Sequence, residues 1–86
     1  MPLYLIERQF AEKLHLTQDG LRAIDGINSD VGVEWLYSFL SADENKTYCL
    51  YQAESPEDIQ RAAKLANIPA DKIIEVSKFD PNEALA

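Results

Sequence analysis

The chain has 86 residues, of which 47% are hydrophobic and 27% are charged, so we expect one globular domain rather than a disordered chain. Its net charge of −7 at pH 7 disfavours binding to nucleic acid or to an anionic membrane, because both depend on Lys and Arg to neutralise phosphate. With a single cysteine, the chain has neither an intrachain disulfide nor a zinc cluster of cysteines.

The N-terminal residues lack the pattern of a signal peptide. Residues 1–4 (MPLY) contain no basic segment, and Glu7 and Arg8 interrupt the apolar run that follows. No apolar run approaches the ~20 residues that a membrane-spanning helix needs. We therefore expect a soluble, cytoplasmic protein that binds neither membrane nor nucleic acid.

The first half of the chain predicts a strand, a helix and a second strand. Residues 3–8 are rich in Tyr, Leu and Ile, which favours a β-strand. Thr17 is a good N-cap for a helix that runs to Val31, with apolar residues three and four positions apart on one face. Gly32 is expected to end this helix, and residues 33–40 give the strongest strand signal of the chain.

A hairpin opens the second half. The polar residues 42–46 predict a turn, and residues 47–53 predict the returning strand. Strict alternation along the first strand of this hairpin would place Trp35, Tyr37 and Phe39 on a common face. Large apolar side chains nevertheless occur on both faces of both strands.

The rest of the chain predicts a helix, a strand and a tail. Ser55 is an N-cap, and the proline after it suits the first position of a helix over residues 56–66. Asn67 is expected to end the helix in the left-handed conformation. Residues 73–76 predict the last strand, and residues 80–86 a C-terminal tail or arm.

The predicted order β-α-β-β-α-β indicates an α+β fold of the ferredoxin-like type. Right-handed crossovers then give a four-stranded antiparallel sheet with both helices on one face. We expect this domain to span residues 1–79, followed by the tail at residues 80–86. A chain of this size buries only about 60–65% of the surface that its unfolded form exposes, so a monomer would be marginally stable. We therefore expect a homodimer through the open sheet face, in preference to a lipid or a flat aromatic ligand on that face.

Four residues are candidates for a ligand-binding site. Glu7 and Arg8 end the first strand, which is central in this fold, and their side chains point to opposite faces. A carboxylate that is buried there could act as a base or as a ligand. Aromatic side chains line two adjacent strands, and they can either orient a small ligand or form core and dimer interface. The candidate ligand-binding residues are Glu7, Trp35, Tyr37 and Tyr51.

No residue pattern specifies a catalytic group. His15 is the only histidine, and it would need an orienting partner as a base or further ligands for a metal. Glu12 is near it in sequence, but we expect the segment between strand and helix to be a surface loop with His15 exposed to solvent. Cys49 lies in the middle of a predicted strand, where a cysteine is more often a small buried hydrophobe than a nucleophile. The chain contains no glycine-rich phosphate loop, no Gly-x-Ser-x-Gly elbow and no calcium-binding loop. A non-enzymatic function is therefore favoured, and the catalytic residues stay unknown.

Five segments of the chain form a recognisable pattern. They are residues 1–4 (MPLY), 35–43 (WLYSFLSAD), 47–51 (TYCLY), 55–57 (SPE) and 68–71 (IPAD). These segments resemble a family of small bacterial domains of unknown function that is grouped with a nickel-binding protein. The resemblance covers nearly the whole chain, and its most specific parts are the YCLY and PADKI segments. It implies a ferredoxin-like fold and a dimer.

The chain departs from this family at the positions that the resemblance implies for nickel. Its nickel-binding members carry a histidine immediately before Pro-Ala-Asp, where this chain has Ile68. They also carry histidine in the first strand, where this chain has Glu7 and Arg8. Because nickel favours imidazole and His15 alone cannot build such a site, we predict no resident cofactor and no metal-binding residues.

Three functions stay open. The first is a dimeric module that binds a small ligand, or a metal weakly, without the nickel histidines. The second is a small enzyme of the dimeric α+β-barrel type that uses Glu7, Tyr37 or Tyr51 in a cleft, which is a likeness at the level of fold alone. The third is a structural or interaction module that uses the sheet face and the C-terminal arm.

Overall fold

The computed structural model of the chain describes residues 1–12 and 14–85. Lys13, in the connector before the first helix, and Ala86, at the end of the expected tail, lie outside the described residues. The elements are β1 (Leu3–Gln9), α1 (Gln18–Val31), β2 (Glu34–Leu40), β3 (Lys46–Gln52), α2 (Pro56–Ala66), β4 (Lys72–Val76) and α3 (Pro81–Ala84).

The strands form one antiparallel sheet in the order β2-β3-β1-β4. This order places β1 and β3 in the centre, and both major helices contribute to the core on one face. The predicted α+β fold with ferredoxin-like topology is therefore confirmed. Its predicted elements agree with the structure to within one or two residues at each end.

The helix ends follow their local sequence signals. Thr17 caps α1 by accepting a hydrogen bond from the backbone N–H of Gly20 at 3.0 Å, and Ser55 accepts one from Asp58 at 3.4 Å at the start of α2. Gly32 and Asn67 end the two helices with φ values of 89° and 56°, in the left-handed region that these residue types tolerate. These four residues fix where the helices begin and end.

The core lies between the helices and one face of the sheet, which we call the inner face. Tyr4 and Ile6 of β1 lie beside Tyr51 and Cys49 of β3 on this face. Ile59 and other residues of α2 pack against them, and half-buried residues of α1 complete the layer. Alternation in β1 continues to Arg8, whose side chain is only 3% exposed. A charged side chain therefore ends the inner-face row of β1.

The opposite face of the sheet, which we call the open face, is rich in apolar side chains. Leu5 and Leu50 are half-buried at its centre. Tyr37 and Phe39 form an edge-to-face pair with ring centroids 5.7 Å apart, and Phe39 is 64% exposed. The sequence prediction of a second apolar face is confirmed. Whether a second copy covers it stays a prediction.

The prediction that Trp35, Tyr37 and Phe39 share a face is wrong. The pairing of β2 with β3 shifts register between Trp35 and Tyr37, so a β-bulge lies at Leu36. A bulge inserts one residue without a partner and reverses the alternation beyond it. Trp35 therefore lies on the inner face, opposite Tyr51, whereas Tyr37 and Phe39 lie on the open face.

The C-terminal segment contains a short helix rather than an irregular tail alone. Asp80 accepts a hydrogen bond from the backbone N–H of Asn82 at 2.9 Å and caps α3, with Pro81 at its first position. Phe79 and Leu85 on either side of α3 are largely exposed. The Asp-Pro pair carries the same start signal as Ser55 and Pro56, so the sequence held a signal for this helix.

Candidate functional site

A cavity of about 150 Å³ lies between the inner face, α1 and the connector that joins β1 to α1. We call it the Arg8 cavity. It sits at the end of the sheet where β1 and β2 finish and β3 starts. Its apolar walls are formed by Phe10, Leu14 and Leu16 of the connector, Ile24 of α1, Leu40 of β2, and Ile68 after α2.

Backbone hydrogen bonds hold the connector against the β2–β3 turn. The N–H of Phe10 donates to the carbonyl of Asn45 at 2.8 Å, and the N–H of Leu14 donates to the carbonyl of Glu44 at 2.9 Å. The side chains of Phe10 and Leu14 can then face the cavity. Leu16 and Leu40 are about half exposed, so they form a rim between the cavity and solvent.

Arg8 is the charged group of the cavity wall. Its Nη1 donates to the carbonyl oxygen of Pro69 at 2.5 Å, and its Nη2 donates to the hydroxyl of Tyr51 at 3.4 Å. The guanidinium carbon lies 5.7 Å from the centroid of the Tyr51 ring, at cation–π distance. Among the residues that the structure describes, Arg8 has no carboxylate at ion-pair distance. The buried charge is thus held by neutral partners.

The segment after α2 is fixed beside Arg8 by hydrogen bonds to the end of β1. The N–H of Asp71 donates to the carbonyl of Glu7 at 2.9 Å, and the Asp71 carboxylate accepts from the N–H of Gln9 at 2.7 Å. These two bonds flank Arg8 in sequence and place the Pro69 carbonyl within its reach. The position of the guanidinium therefore depends on the chain after α2 as well as on β1.

Tyr51 completes the polar part of the wall. Its hydroxyl oxygen accepts hydrogen bonds from Arg8 and, at 3.2 Å, from the side-chain amide of Asn28, the one buried residue of α1. No acceptor for the hydroxyl proton occurs in residues 1–12 and 14–85. Burial raises the pKa of the Tyr51 phenol above 10.0, and the positive charge of Arg8 partly opposes this rise.

Trp35 forms the aromatic part of the wall. Its ring is stacked with that of Tyr51 at a centroid distance of 6.3 Å and an interplanar angle of 17°. Its Nε1–H donates to the hydroxyl of Ser38 at 2.7 Å. Residues three apart in a regular strand lie on opposite faces and could not form this bond. The bulge at Leu36 makes it possible because it brings Ser38 to the inner face.

The structure divides the four sequence-predicted site residues between the two faces of the sheet. Trp35 and Tyr51 lie together in the wall of the Arg8 cavity. Glu7 and Tyr37 lie on the open face, where Glu7 is opposite Tyr48 and its carboxylate accepts a hydrogen bond from the Gln9 side chain at 3.3 Å. No single cleft within one chain therefore contains Glu7 and Tyr51.

Arg8 and Asn28 are the polar residues that the sequence prediction missed. Alternation in β1 places Arg8 on the same face as Tyr4 and Ile6, which was a sufficient signal for a buried cation. Asn28 falls on the apolar face of α1, where a polar side chain needs a partner. A search for polar residues in apolar rows would have found both.

The candidate metal ligands are dispersed. His15 is exposed in the connector, and Cys49 is buried in β3 with its Sγ 3.6 Å from the hydroxyl of Thr47. No group of three or more His, Cys, Asp or Glu is placed to hold a metal ion within the part of the chain that the structure describes. Arg8 and Ile68 both line the Arg8 cavity. None of the described helices is long and apolar enough to cross a membrane.

Comparisons with known proteins identify one family. A sequence model described as "Nickel responsive protein SCO4226-like" matches residues 4–76. The crystal structure of SCO4226 from Streptomyces coelicolor A3(2) is similar to the whole fold, with a TM-score of 0.69 and 22% sequence identity. That alignment covers 91% of this chain and 99% of the other. No curated protein matches the chain.

We predict that the contribution of Tyr51 to stability decreases at high pH. The folded state holds the phenol proton more strongly than the unfolded state, so the free energy of unfolding should fall as pH rises above 10.0. Tyr51→Phe should lower the free energy of unfolding by about 1–3 kcal/mol at pH 7, because it removes the oxygen that accepts from the Asn28 amide and from Nη2 of Arg8.

Urea denaturation from pH 7 to pH 11 measures this effect, with Tyr37→Phe as the control for loss of an exposed hydroxyl. The gap between wild type and Tyr51→Phe should narrow above pH 10.0. A gap that stays constant over this range would contradict the assignment.

Proposed function

The chain belongs to the SCO4226-like family, and we propose that within this family it binds a small molecule in the Arg8 cavity. The observation that carries the proposal is the composition of the cavity wall. Ligand sites are typically concave and mostly apolar, with a few polar groups that orient the ligand. The wall combines apolar side chains with Arg8 and Tyr51, two residues with polar groups that are nearly fully buried.

The size of the cavity limits the ligand. An engineered apolar cavity of ~150 Å³ accepts benzene, so a ligand with an apolar body on that scale fits. Entry past the rim at Leu16 and Leu40 requires no rearrangement of the sheet, because both side chains are half exposed at the end of the fold. Trp35 would be in contact with such a ligand, and two of the four sequence-predicted site residues, Trp35 and Tyr51, belong to the site we propose.

Trp35 gives a direct test because it is the only tryptophan of the chain. Titration with isovaleramide, a compact neutral molecule, should change Trp35 fluorescence and saturate with a Kd on the order of 1 mM, as expected for so few atoms. Ile24→Phe should weaken the response by filling the cavity. Leu65→Phe, at an exposed position of α2, is the matched control and should respond as wild type does.

If isovaleramide and its charged analogue isovalerate both leave Trp35 fluorescence unchanged up to the solubility limit, the cavity is not a binding site. An unchanged response in a folded Ile24→Phe variant would place the binding elsewhere on the chain. Circular dichroism spectra establish that each variant is folded before titration.

Nickel binding at the family positions is not part of the proposal. The family model is described as nickel responsive, but the described residues offer no set of three ligands. A Ni²⁺ ion in the Arg8 cavity would also meet the positive charge of the Arg8 guanidinium, with no carboxylate at ion-pair distance within residues 1–12 and 14–85 to offset it. We propose that any binding of nickel is weak and involves the exposed His15.

Calorimetry tests this prediction. Injection of NiCl2 into concentrated protein should give no saturable heat beyond the weak binding that a single imidazole provides. His15→Gln should abolish even that. Saturable binding with one Ni²⁺ per chain that survives in His15→Gln would contradict the proposal, because it requires a site built from other residues.

We also propose that two copies pair through the open face and that the protein works as a cytoplasmic homodimer. The support is the apolar character of this face, on which Tyr37, Phe39 and Ile74 are more than half exposed. Such side chains lose contact with water when two sheets pack face to face. The proposed dimer leaves the Arg8 cavity accessible, because the cavity lies on the other side of the sheet.

Light scattering of the purified protein tests the pairing. Wild type at micromolar concentration should have twice the chain mass of 9.7 kDa. Phe39→Glu should shift the equilibrium toward the monomer, because a two-fold interface would then bury two carboxylates close together. Leu65→Glu changes an equally exposed position on α2 and should leave the mass unchanged. A wild-type mass of 9.7 kDa would refute the homodimer.

A further inference from the structure

We infer that the ligand of the Arg8 cavity is a monocarboxylate with a compact apolar body. This inference rests on the proposed function and specifies the chemical class that the cavity selects. It starts from two groups in the cavity wall, the Arg8 guanidinium and the Tyr51 hydroxyl, that are 3% and 2% exposed as residues. Their hydrogen-bonding capacity is only partly used within the described chain.

The guanidinium has unused donors. Arginine carries five N–H donors in a planar fork. Arg8 uses one on the Pro69 carbonyl and one on the Tyr51 hydroxyl. Both acceptors are neutral, and no described carboxylate lies at ion-pair distance from the buried charge. Buried charges are ordinarily paired, so this arrangement favours a ligand that brings the negative charge.

The Tyr51 hydroxyl has an unused proton. Its oxygen already accepts hydrogen bonds from Arg8 and Asn28, which leaves the O–H as a donor without an acceptor among the described residues. Asn28 and Arg8 thereby fix the hydroxyl so that only its donor function is free. An acceptor that meets both Arg8 and Tyr51 would receive charge-assisted hydrogen bonds from two buried donors.

The number of charges and donors favours a carboxylate over a phosphate. Among the described residues of the cavity wall, Arg8 is the only cation. It balances one negative charge, whereas a phosphate group carries about −1.5 to −2 at pH 7 and needs more donors than the wall provides. A carboxylate is planar, singly charged and matched to the guanidinium fork. Apart from Tyr51, Ser38 and Thr47, the other residues of the wall are apolar, so the body of the ligand must be mostly apolar too.

The overall charge of the chain does not help to select a carboxylate. The chain carries a net charge of −7, so long-range attraction does not concentrate anions near it. Selection of a carboxylate must therefore come from contacts inside the cavity. Within the apolar wall the attraction between the guanidinium and a carboxylate is screened less than in water. An uncharged ligand of the same shape would leave the Arg8 guanidinium without a negatively charged partner among the described residues and the ligand.

Two isosteric ligands separate this inference from the proposed function. Isovalerate and isovaleramide have the same shape, and only isovalerate carries a negative charge. Titrated against Trp35 fluorescence at pH 7 and fixed ionic strength, isovalerate should bind at least tenfold more tightly than isovaleramide. Inorganic phosphate should not displace it, and chloride should compete only at far higher concentration.

Variants at three positions assign the preference to its donors. Arg8→Met keeps the apolar stem and should reduce the preference for isovalerate to about onefold while isovaleramide still binds. Tyr51→Phe should lower the preference severalfold, because it removes one donor and keeps the ring. Arg22→Met removes an exposed cation of α1 and is the matched control, with the tenfold preference retained.

Each result has one meaning. Equal binding of the two ligands to wild type would overturn the carboxylate inference and leave the proposed binding site standing. Absence of a response to either ligand would overturn both. Loss of the preference in Arg22→Met as well as in Arg8→Met would show an effect of overall charge and would overturn the assignment to Arg8. If Arg8→Met does not fold, Tyr51→Phe tests the pair of donors through its other member, and an unchanged tenfold preference in that variant would overturn the two-donor site.

Discussion

The buried guanidinium of Arg8 is the constraint around which this end of the fold is arranged. Removing a charge from water is costly unless other groups replace its hydration. Here the Tyr51 ring, the Tyr51 hydroxyl and the Pro69 carbonyl interact with the guanidinium in place of water. Each belongs to a different segment from Arg8, so β3 and the segment after α2 must both be in place before the charge can be buried. Asn28 adds α1 to the same network through Tyr51.

The two faces of the sheet have different roles in this account. On the inner face the helices cover the centre of the sheet, and the remaining space at its end is the Arg8 cavity. On the open face no described helix covers the apolar row, which we propose a second copy covers. The bulge at Leu36 is what separates these roles within β2, because it directs Trp35 into the cavity and Tyr37 and Phe39 to the open face. Membership of the SCO4226-like family agrees with the fold, and Arg8 gives this cavity a cationic wall.

Local signals in the sequence were sufficient for the framework but not for the site. The caps at Thr17 and Ser55 and the left-handed ends at Gly32 and Asn67 depend on neighbouring residues, so they could be predicted. The bulge could not be predicted, because β2 carries no glycine or proline at that point. Large apolar residues also occur at both odd and even positions of the strand, so alternation does not reveal the shift. Alternation did place Arg8 on the inner face. Its acceptor at Pro69 lies 61 positions further along the chain, a contact that only the tertiary fold creates.

Nuclear magnetic resonance of the Arg8 side chain tests the central claim most directly. The Nε–H signal of Arg8 and the Nε1–H signal of Trp35 report on the two sides of the cavity, and both can be followed during a titration with isovalerate. We expect these two signals to shift together and saturate, with small changes at exposed arginines such as Arg22 and Arg61. Shifts confined to the exposed arginines, with Arg8 and Trp35 unmoved, would contradict it.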